Sequence, residues 1–391
     1  MIPDNRRAIG LFDNRGTALT YPLLSSLMEC LREDGFSIHL FTSASVVDYC
    51  RNSGFNHIQA YHFESLDTPY GWYRPLGHIG YPSLLGLRMH RRQSYAALIG
   101  CDEDGSFRML KYGRWLKCPK IYYSTHIREK TPEKEWRYFG TDGPSVAQAC
   151  DYVFSQDEDR GQLLREHYGI SPDRLRLLPN APLGEARRRK GSYFYDRCGI
   201  PRDRKIALHF GAFLEGQCLE ELVSSLSTWP EPWVFVLHSP LNRRDMASRF
   251  AVKILMRLCP RDRLYVSTGV LGGGDLREAM DSADAAFACY TRVEEWPDTH
   301  LNNVKIGHAS GKMAMALRSG LPVIANPYTD IPDIIRRYQC GVVWSESMTV
   351  RDAILALDAQ YDTFSQGALT AFKAEFDFAK AYRDIRDIFI R

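Results

Sequence analysis

The sequence contains no apolar run of about 18 residues, the length a membrane-spanning helix requires. It has no Cys-x-x-Cys pair and no histidine cluster at metal-ligand spacing. Its ten cysteines are scattered, so they read as buried or half-buried thiols in a reducing compartment. The opening Met1-Ile2-Pro3-Asp4-Asn5-Arg6-Arg7 is polar with no apolar stretch behind it, so no secretory leader is expected. The expected location is cytoplasmic. Neither sign of charge dominates: 50 Lys+Arg stand against 47 Asp+Glu, a net +3. Neither half of the chain is markedly basic, which argues against a nucleic-acid partner. No Gly-x-Gly-x-x-Gly follows a strand, which argues against a nicotinamide-dependent dehydrogenase.

What is present is an ordinary globular composition, 45% hydrophobic and 25% charged, over 391 residues. That length suits two domains. Short apolar runs alternate with amphipathic stretches. In the first half the strand candidates are Ala8–Phe12, Ser37–Phe41, Ala96–Gly100, Lys120–Ser124, Tyr152–Ser155 and Leu175–Leu178. In the second they are Ile206–Phe210, Trp233–His238, Leu264–Ser267, Ala285–Ala288, Pro322–Ala325 and Gly341–Val343. Helix candidates lie between them, among them Pro22–Glu33, Arg160–Tyr168, Asp275–Ser282 and Lys312–Ser319. Two such series predict an α/β protein of two Rossmann-like, doubly wound domains facing a cleft. A polar stretch containing Arg187-Arg188-Arg189-Lys190 and Gly199-Ile200-Pro201 reads as a linker. The expected organisation is therefore a first domain over residues 1–183, a linker over 184–203, and a second domain over 204–370. A final helical stretch, 371–391, is expected to pack back on the first domain.

The segment from His308 to Asn326 carries the most chemistry. Ser310 suits an N-cap, Gly320 a C-cap, and Pro322 opens a buried strand. Free amides at the helix start favour an anion. Lys312 in the first turn opposes the helix dipole, which makes sense if an anion such as a diphosphate sits there. The alternative is a capped helix with an incidental surface lysine. The spacing is not that of a P-loop.

The pattern Ser310-Gly311-Lys312, then Leu317 and Ser319-Gly320-Leu321-Pro322-Val323-Ile324, resembles the donor-binding helix of GT-B glycosyltransferases of the group-1 (family 4-like) retaining kind. Ile206-Ala-Leu-His-Phe-Gly-Ala212 with Leu219-Glu-Glu-Leu222 resembles the first strand and helix of their donor domain. Val266-Ser-Thr-Gly-Val-Leu271, followed by Asp275, resembles the strand and turn that contact the base. Ser282-Ala-Asp-Ala-Ala-Phe287, Tyr152–Arg160 and Leu178-Pro-Asn180 also fit, in the right order. The resemblance implies transfer of a hexosyl group from a nucleoside diphosphate sugar to a saccharide or glycoconjugate acceptor, with retention and no metal. It implies a donor-binding role for Gly211, Val270, Leu271, Asn303, Ser310, Gly311 and Lys312, with Asn302 beside Asn303. Two departures stand out. Gly307 and Met315 occupy the positions of the family's two glutamates, of which the first usually binds the donor sugar and the second the ribose. Gln217 stands near an expected lysine, which leaves Lys312 as the surviving cation. The departures keep open a second reading, a catalytically degenerate binding or activating subunit.

In the first half, the turn Asp13-Asn14-Arg15-Gly16-Thr17 follows a strand, and Gly16 either lets the backbone approach a donor phosphate or belongs to an ordinary loop. His126, beyond the strand from Lys120, is the acceptor-side catalytic candidate, alongside Lys312 on the donor side; an exposed loop histidine is the alternative. Gly100-Cys-Asp-Glu-Asp-Gly105 reads as a solvated turn, or as a group of carboxylates that orients acceptor hydroxyls. Arg108, Lys111 and Arg114, near Trp115, suggest either a solvated helix face or a peripheral contact with an anionic membrane, in which case the acceptor is lipid-linked.

Overall fold

The computed structural model describes residues 7–13, 22–52, 58–62, 94–127, 143–211, 216–240, 262–271, 273–291, 297–345 and 347–390. Two compact units share the chain: Met1–Pro179 with Phe378–Arg391, and Asn180–Asp377. Among the described residues no helix is long and apolar enough to cross a membrane.

The first unit is built on a seven-stranded sheet in the order β3-β2-β1-β4-β5-β6-β7. Its strands are β1 (Ala8–Phe12), β2 (Ser37–Thr42), β3 (Ile58–His62), β4 (Tyr95–Cys101), β5 (Lys120–Tyr123), β6 (Tyr152–Ser155) and β7 (Leu175–Leu177). Every pairing is parallel. β1 and β4 are buried along their whole length, as expected when helices cover both faces of a sheet. The Asp102–Gly113 helix lies very close to the sheet. A methyl placed on Gly105 would fall 2.3 Å from the Phe12 carbonyl oxygen, and one on Gly100 would fall 2.3 Å from Ser106 Cα. Both glycines are therefore packing positions. β3 has no counterpart among the sequence-predicted strands; it is a sheet edge, and its Tyr61 is exposed.

The final segment belongs to this unit as two short helices, Phe378–Ile385 and Asp387–Ile390, separate from the Tyr361–Glu375 helix. The helical pattern read over 371–391 is thus broken around Phe376–Asp377. Tyr382 donates to Asp34 at 2.6 Å, and Arg386 grips the same carboxylate at 2.7 and 2.8 Å. Those donors hold the Asp34 carboxyl below its ordinary pKa, Arg386 foremost.

The second unit has a six-stranded parallel sheet, ordered β10-β9-β8-β11-β12-β13. The strands are β8 (Lys205–Phe210), β9 (Trp233–Ser239), β10 (Leu264–Thr268), β11 (Ala285–Phe287), β12 (Val323–Ala325) and β13 (Gly341–Val343). One face is packed by Trp229, Trp233, Phe235 and Phe287 with Val350, Ile354 and Leu357 of the Val350–Ala359 helix.

The stretch 184–203, read as a linker, lies inside this unit. It contains a helix, Tyr193–Cys198. Its arginines are drawn in by backbone carbonyls: Arg188 donates to the oxygens of Asp281 and Ala283. Lys190 pairs with Asp284 at 2.6 Å. Polar composition marked the stretch as solvated, but these acceptors are distant in sequence.

Candidate functional site

In a parallel sheet every strand ends at the same edge, and ligands gather where the strand order reverses. In the second unit that reversal lies between β8 and β11. Gly211 follows β8, Tyr290 lies just beyond β11, and the helix Gly311–Arg318 starts at the same edge. This helix begins one residue earlier than its pattern suggested and ends at Arg318. Ser310 is its N-cap: its hydroxyl accepts from the Met313 amide at 3.3 Å and lies 2.9 Å from the Tyr290 hydroxyl. Gly320 takes a φ of +64°, ending the helix in the left-handed region.

Lys312 reaches from the first turn of this helix to the end of β8. Its Nζ donates to Gln217 Oε1 at 3.0 Å and lies 4.8 Å from the centre of the Tyr290 ring. Gln217 Oε1 also lies 2.9 Å from His209 Nε2. Gly211 takes a φ of +137°, and a methyl there would meet Lys312 Cε at 3.4 Å. Among the described residues no carboxylate pairs with Lys312. The side chain keeps some surface, yet protein packed around the ammonium pushes its pKa down to about 8. His209 is pushed well below its ordinary value, first by burial and then by Lys312. Here, then, is a largely desolvated cation held by neutral acceptors, which is the arrangement an anion completes.

The other residues of the donor-side prediction surround it at varying distance. Ser310, Gly311, Lys312 and Gly211 come together. Asn303 lies on the Pro297–Val304 helix, where its amide donates to the Thr291 carbonyl at 3.1 Å; Asn302 beside it is buried. Val270 and Leu271 follow β10, two strands away from β8, or roughly 10 Å along the sheet. Gln217 and Tyr290 were missed as holders of Lys312. Only the nearness of Gln217 to an expected lysine pointed towards it.

The two glutamate positions are also clear. Met315 is buried in the core, where a thioether makes no strong hydrogen bond to a hydroxyl. At Gly307 the amide donates to Asp330 Oδ1 at 2.7 Å, and a methyl would come within 3.1 Å of Asp330 Oδ2. A carboxylate thus stands beside position 307, supplied from the turn after β12.

In the first unit the reversal lies between β1 and β4. Asp102, just after β4, is buried and takes a φ of +52°, a conformation that strains a non-glycine residue. Its carboxylate accepts from the amides of Thr125 at 2.6 Å and His126 at 3.0 Å, and from the Thr125 hydroxyl. The His126 Nδ1 lies 3.4 Å from Asp102 Oδ2, and the ring is 40% exposed. Arg160 and Gln156 brace the same loop through the carbonyls of Thr125 and Ser124. His126 is therefore held, unlike an ordinary loop histidine. The solvated-turn reading of Gly100–Gly105 is corrected: Asp102 and Glu103 are buried, and Glu103 accepts from Tyr168 at 2.8 Å. Strand-end acidity looked like a solvated turn because the acceptor role towards β5 is a tertiary one. Gly16 lies outside the described residues. Arg108 is buried against Asp104 at 3.3 Å, which leaves Lys111, Arg114 and Trp115 as the exposed members of that helix end.

No protein-family model matches the chain, and no curated protein matches it. Solved structures do. Sucrose-phosphate synthase from Thermosynechococcus elongatus aligns at a TM-score of 0.67 and 15% identity, covering 98% of each chain. HepE from Anabaena, in complex with UDP and glucose, gives 0.68 at 13% identity over 98% of this chain and 99% of its own. WaaG, a glycosyltransferase involved in lipopolysaccharide biosynthesis, gives 0.59 at 13% identity over 98% and 99%. The fold is that of GT-B glycosyltransferases.

Proposed function

We propose that this chain is a glycosyltransferase that moves a hexosyl group from a nucleoside diphosphate sugar to a saccharide or glycoconjugate acceptor. One observation carries the reading: Lys312 is a desolvated cation with no carboxylate partner among the described residues, at the strand-order reversal of a GT-B fold. The Gly311 and Lys312 amides start the helix without backbone acceptors among the described residues, and they add to the charge an anion meets. UDP and glucose in HepE support the same class of donor.

In this reading the diphosphate lies on Ser310, Gly311 and Lys312, close to Gly211, with Asn302 and Asn303 beside it. The base lies by Val270 and Leu271. Asp330 supplies the sugar-side carboxylate that position 307 lacks. His126 positions the acceptor hydroxyl. With retention, the bond from the anomeric carbon to the diphosphate breaks as the acceptor oxygen bonds on the same face. The acceptor proton passes to the leaving diphosphate. Lys312 and the helix amides stabilise the charge that develops there, so the step calls for no metal. A cytoplasmic site of action is consistent with free thiols at all nine described cysteines. Lys111, Arg114 and Trp115 suit a peripheral membrane contact with a lipid-linked acceptor.

Titration calorimetry with a panel of nucleotides tests the donor assignment. Lys312→Ala is expected to weaken the preferred nucleotide on the order of 100-fold. Equal affinity in that variant overturns the role of Lys312. The buried Met315 favours a second reading, a binding or activating subunit without turnover. Tight nucleotide binding with no product by mass spectrometry, across a panel of nucleotide sugars and saccharide acceptors, would favour it.

A further inference from the structure

The basic run after residue 183 does not act as one unit. Arg188 and Lys190 are satisfied by Asp284 and by backbone carbonyls. Arg187 lies near enough to Arg318 to act on its charge. Arg318 ends the helix that Lys312 begins, so the two lie at opposite ends of one element. Arg318 is only 7% exposed. Its Nη1 donates to the Leu183 carbonyl at 2.7 Å, and its own carbonyl accepts from the Arg187 amide at 2.9 Å. The Arg187 Nε is buried with no hydrogen-bond partner among the described residues. Gly184, at φ +105°, lies against the third guanidinium: a methyl there would fall 2.5 Å from Arg277 Nη2. Among the described residues neither Arg187 nor Arg277 has a side-chain hydrogen bond or ion pair, and Arg318 pairs with no carboxylate.

Three like charges near one another, none of them ion-paired among the described residues, raise the energy of the fold. Burial first, and then the charges of Arg277 and Arg187, push Arg318 down to about 10, with Asp281 opposing. The acidic groups nearby do not discharge the cluster. Asp284 is taken by Lys190 and Arg188, Glu185 and Glu278 are exposed, and the buried Asp281 offsets only part of the charge on Arg318. The flat forks of arginine match the oxygens of phosphate better than any other common anion.

We propose that Arg187, Arg277 and Arg318 form a second anion site, separate from the donor site, which takes a phosphate-monoester-type anion over Gly184. The chemistry is shared by a free phosphorylated metabolite and by a phosphomonoester lipid headgroup. The site predicts a ligand that stabilises the second unit without occupying the nucleotide position.

The test uses the full chain carrying Lys312→Met, so that the donor site does not contribute. Inorganic phosphate is titrated at constant ionic strength against chloride, and thermal unfolding is followed. A rise of about 2–4 °C near tenfold saturation is expected. Arg277→Ala and Arg187→Gln should each weaken phosphate at least tenfold. Arg189→Ala, which removes an exposed neighbouring charge, should leave it unchanged. Co-sedimentation with vesicles containing phosphatidic acid separates the sources. Binding to vesicles but not to phosphate, lost in Arg277→Ala, supports the headgroup. Phosphate binding in solution supports the free metabolite. Absence of both, or phosphate affinity equal in Arg277→Ala and its parent, overturns the proposal.

Discussion

Lys312 lowers the stability of the protein, because burial disfavours its charged form. Its ordinary pKa is 10.5 and its folded value about 8. Between those values the unfolded chain carries a proton that the folded chain has released, so stability rises with pH across that window. Below pH 8 the full penalty is present, on the order of 3 kcal/mol. Lys312→Met should therefore stabilise the ligand-free protein at pH 7 and narrow its advantage by pH 10, measured by urea unfolding. The same change should weaken nucleotide binding on the order of 100-fold. In the parent, nucleotide affinity should decline above about pH 8, as the ammonium loses the proton that attracts the diphosphate. A variant that gains no stability at pH 7 would show that the ammonium is not desolvated. Asp102 makes a different residue-scale case. Asparagine tolerates its left-handed backbone, but an amide nitrogen in place of Oδ2 cannot accept from the Thr125 hydroxyl and carries no charge to face the His126 ring. Asp102→Asn should raise the acceptor KM about tenfold, the value of one lost hydrogen bond, with nucleotide affinity unchanged. A simultaneous loss of nucleotide affinity would point to general misfolding instead.

At the scale of elements, most of the sheet was legible. Strands such as Ala8–Phe12 and Trp233–Ser239 are apolar runs because both faces are covered, and burial on both faces is written directly in composition. The edge strand Ile58–His62 was not, since Gln59 and His62 interrupt the apolar run and one edge of it pairs with nothing further in the sheet. The helix from Gly311 was legible from its cap serine and closing glycine, and so was Lys312 as its odd charge. What held Lys312 was not, because Gln217 lies 95 residues away in sequence. The Asp102–His126 pairing was hidden for the same reason: each residue sat on its own strand end, and only the sheet brings β4 beside β5. Gly100 and Gly105 read as turn glycines, yet they are where a helix meets a strand. Gly105→Ala should cost about 3 kcal/mol, because the Phe12 carbonyl oxygen sits where the new carbon must go. Chemical denaturation measures this, and an unchanged midpoint would show that the helix can shift away.

Across the whole molecule, the two units offer separate readouts. A chain ending at Asp377 loses Tyr382 and Arg386, and with them the clamp on Asp34. Calorimetry should then show the first unit melting several degrees lower, while the transition of the second unit stays in place. Equal loss in both transitions would refute that independence. The division also bears on the order in which the protein is made. The second unit interrupts the first in sequence. During synthesis the first unit begins to form before the second exists, yet Asp34 meets its partners only after Asp377 has been added. The unit that starts first therefore finishes last, and a nascent chain stalled between the two holds a completed second unit behind an unfinished neighbour.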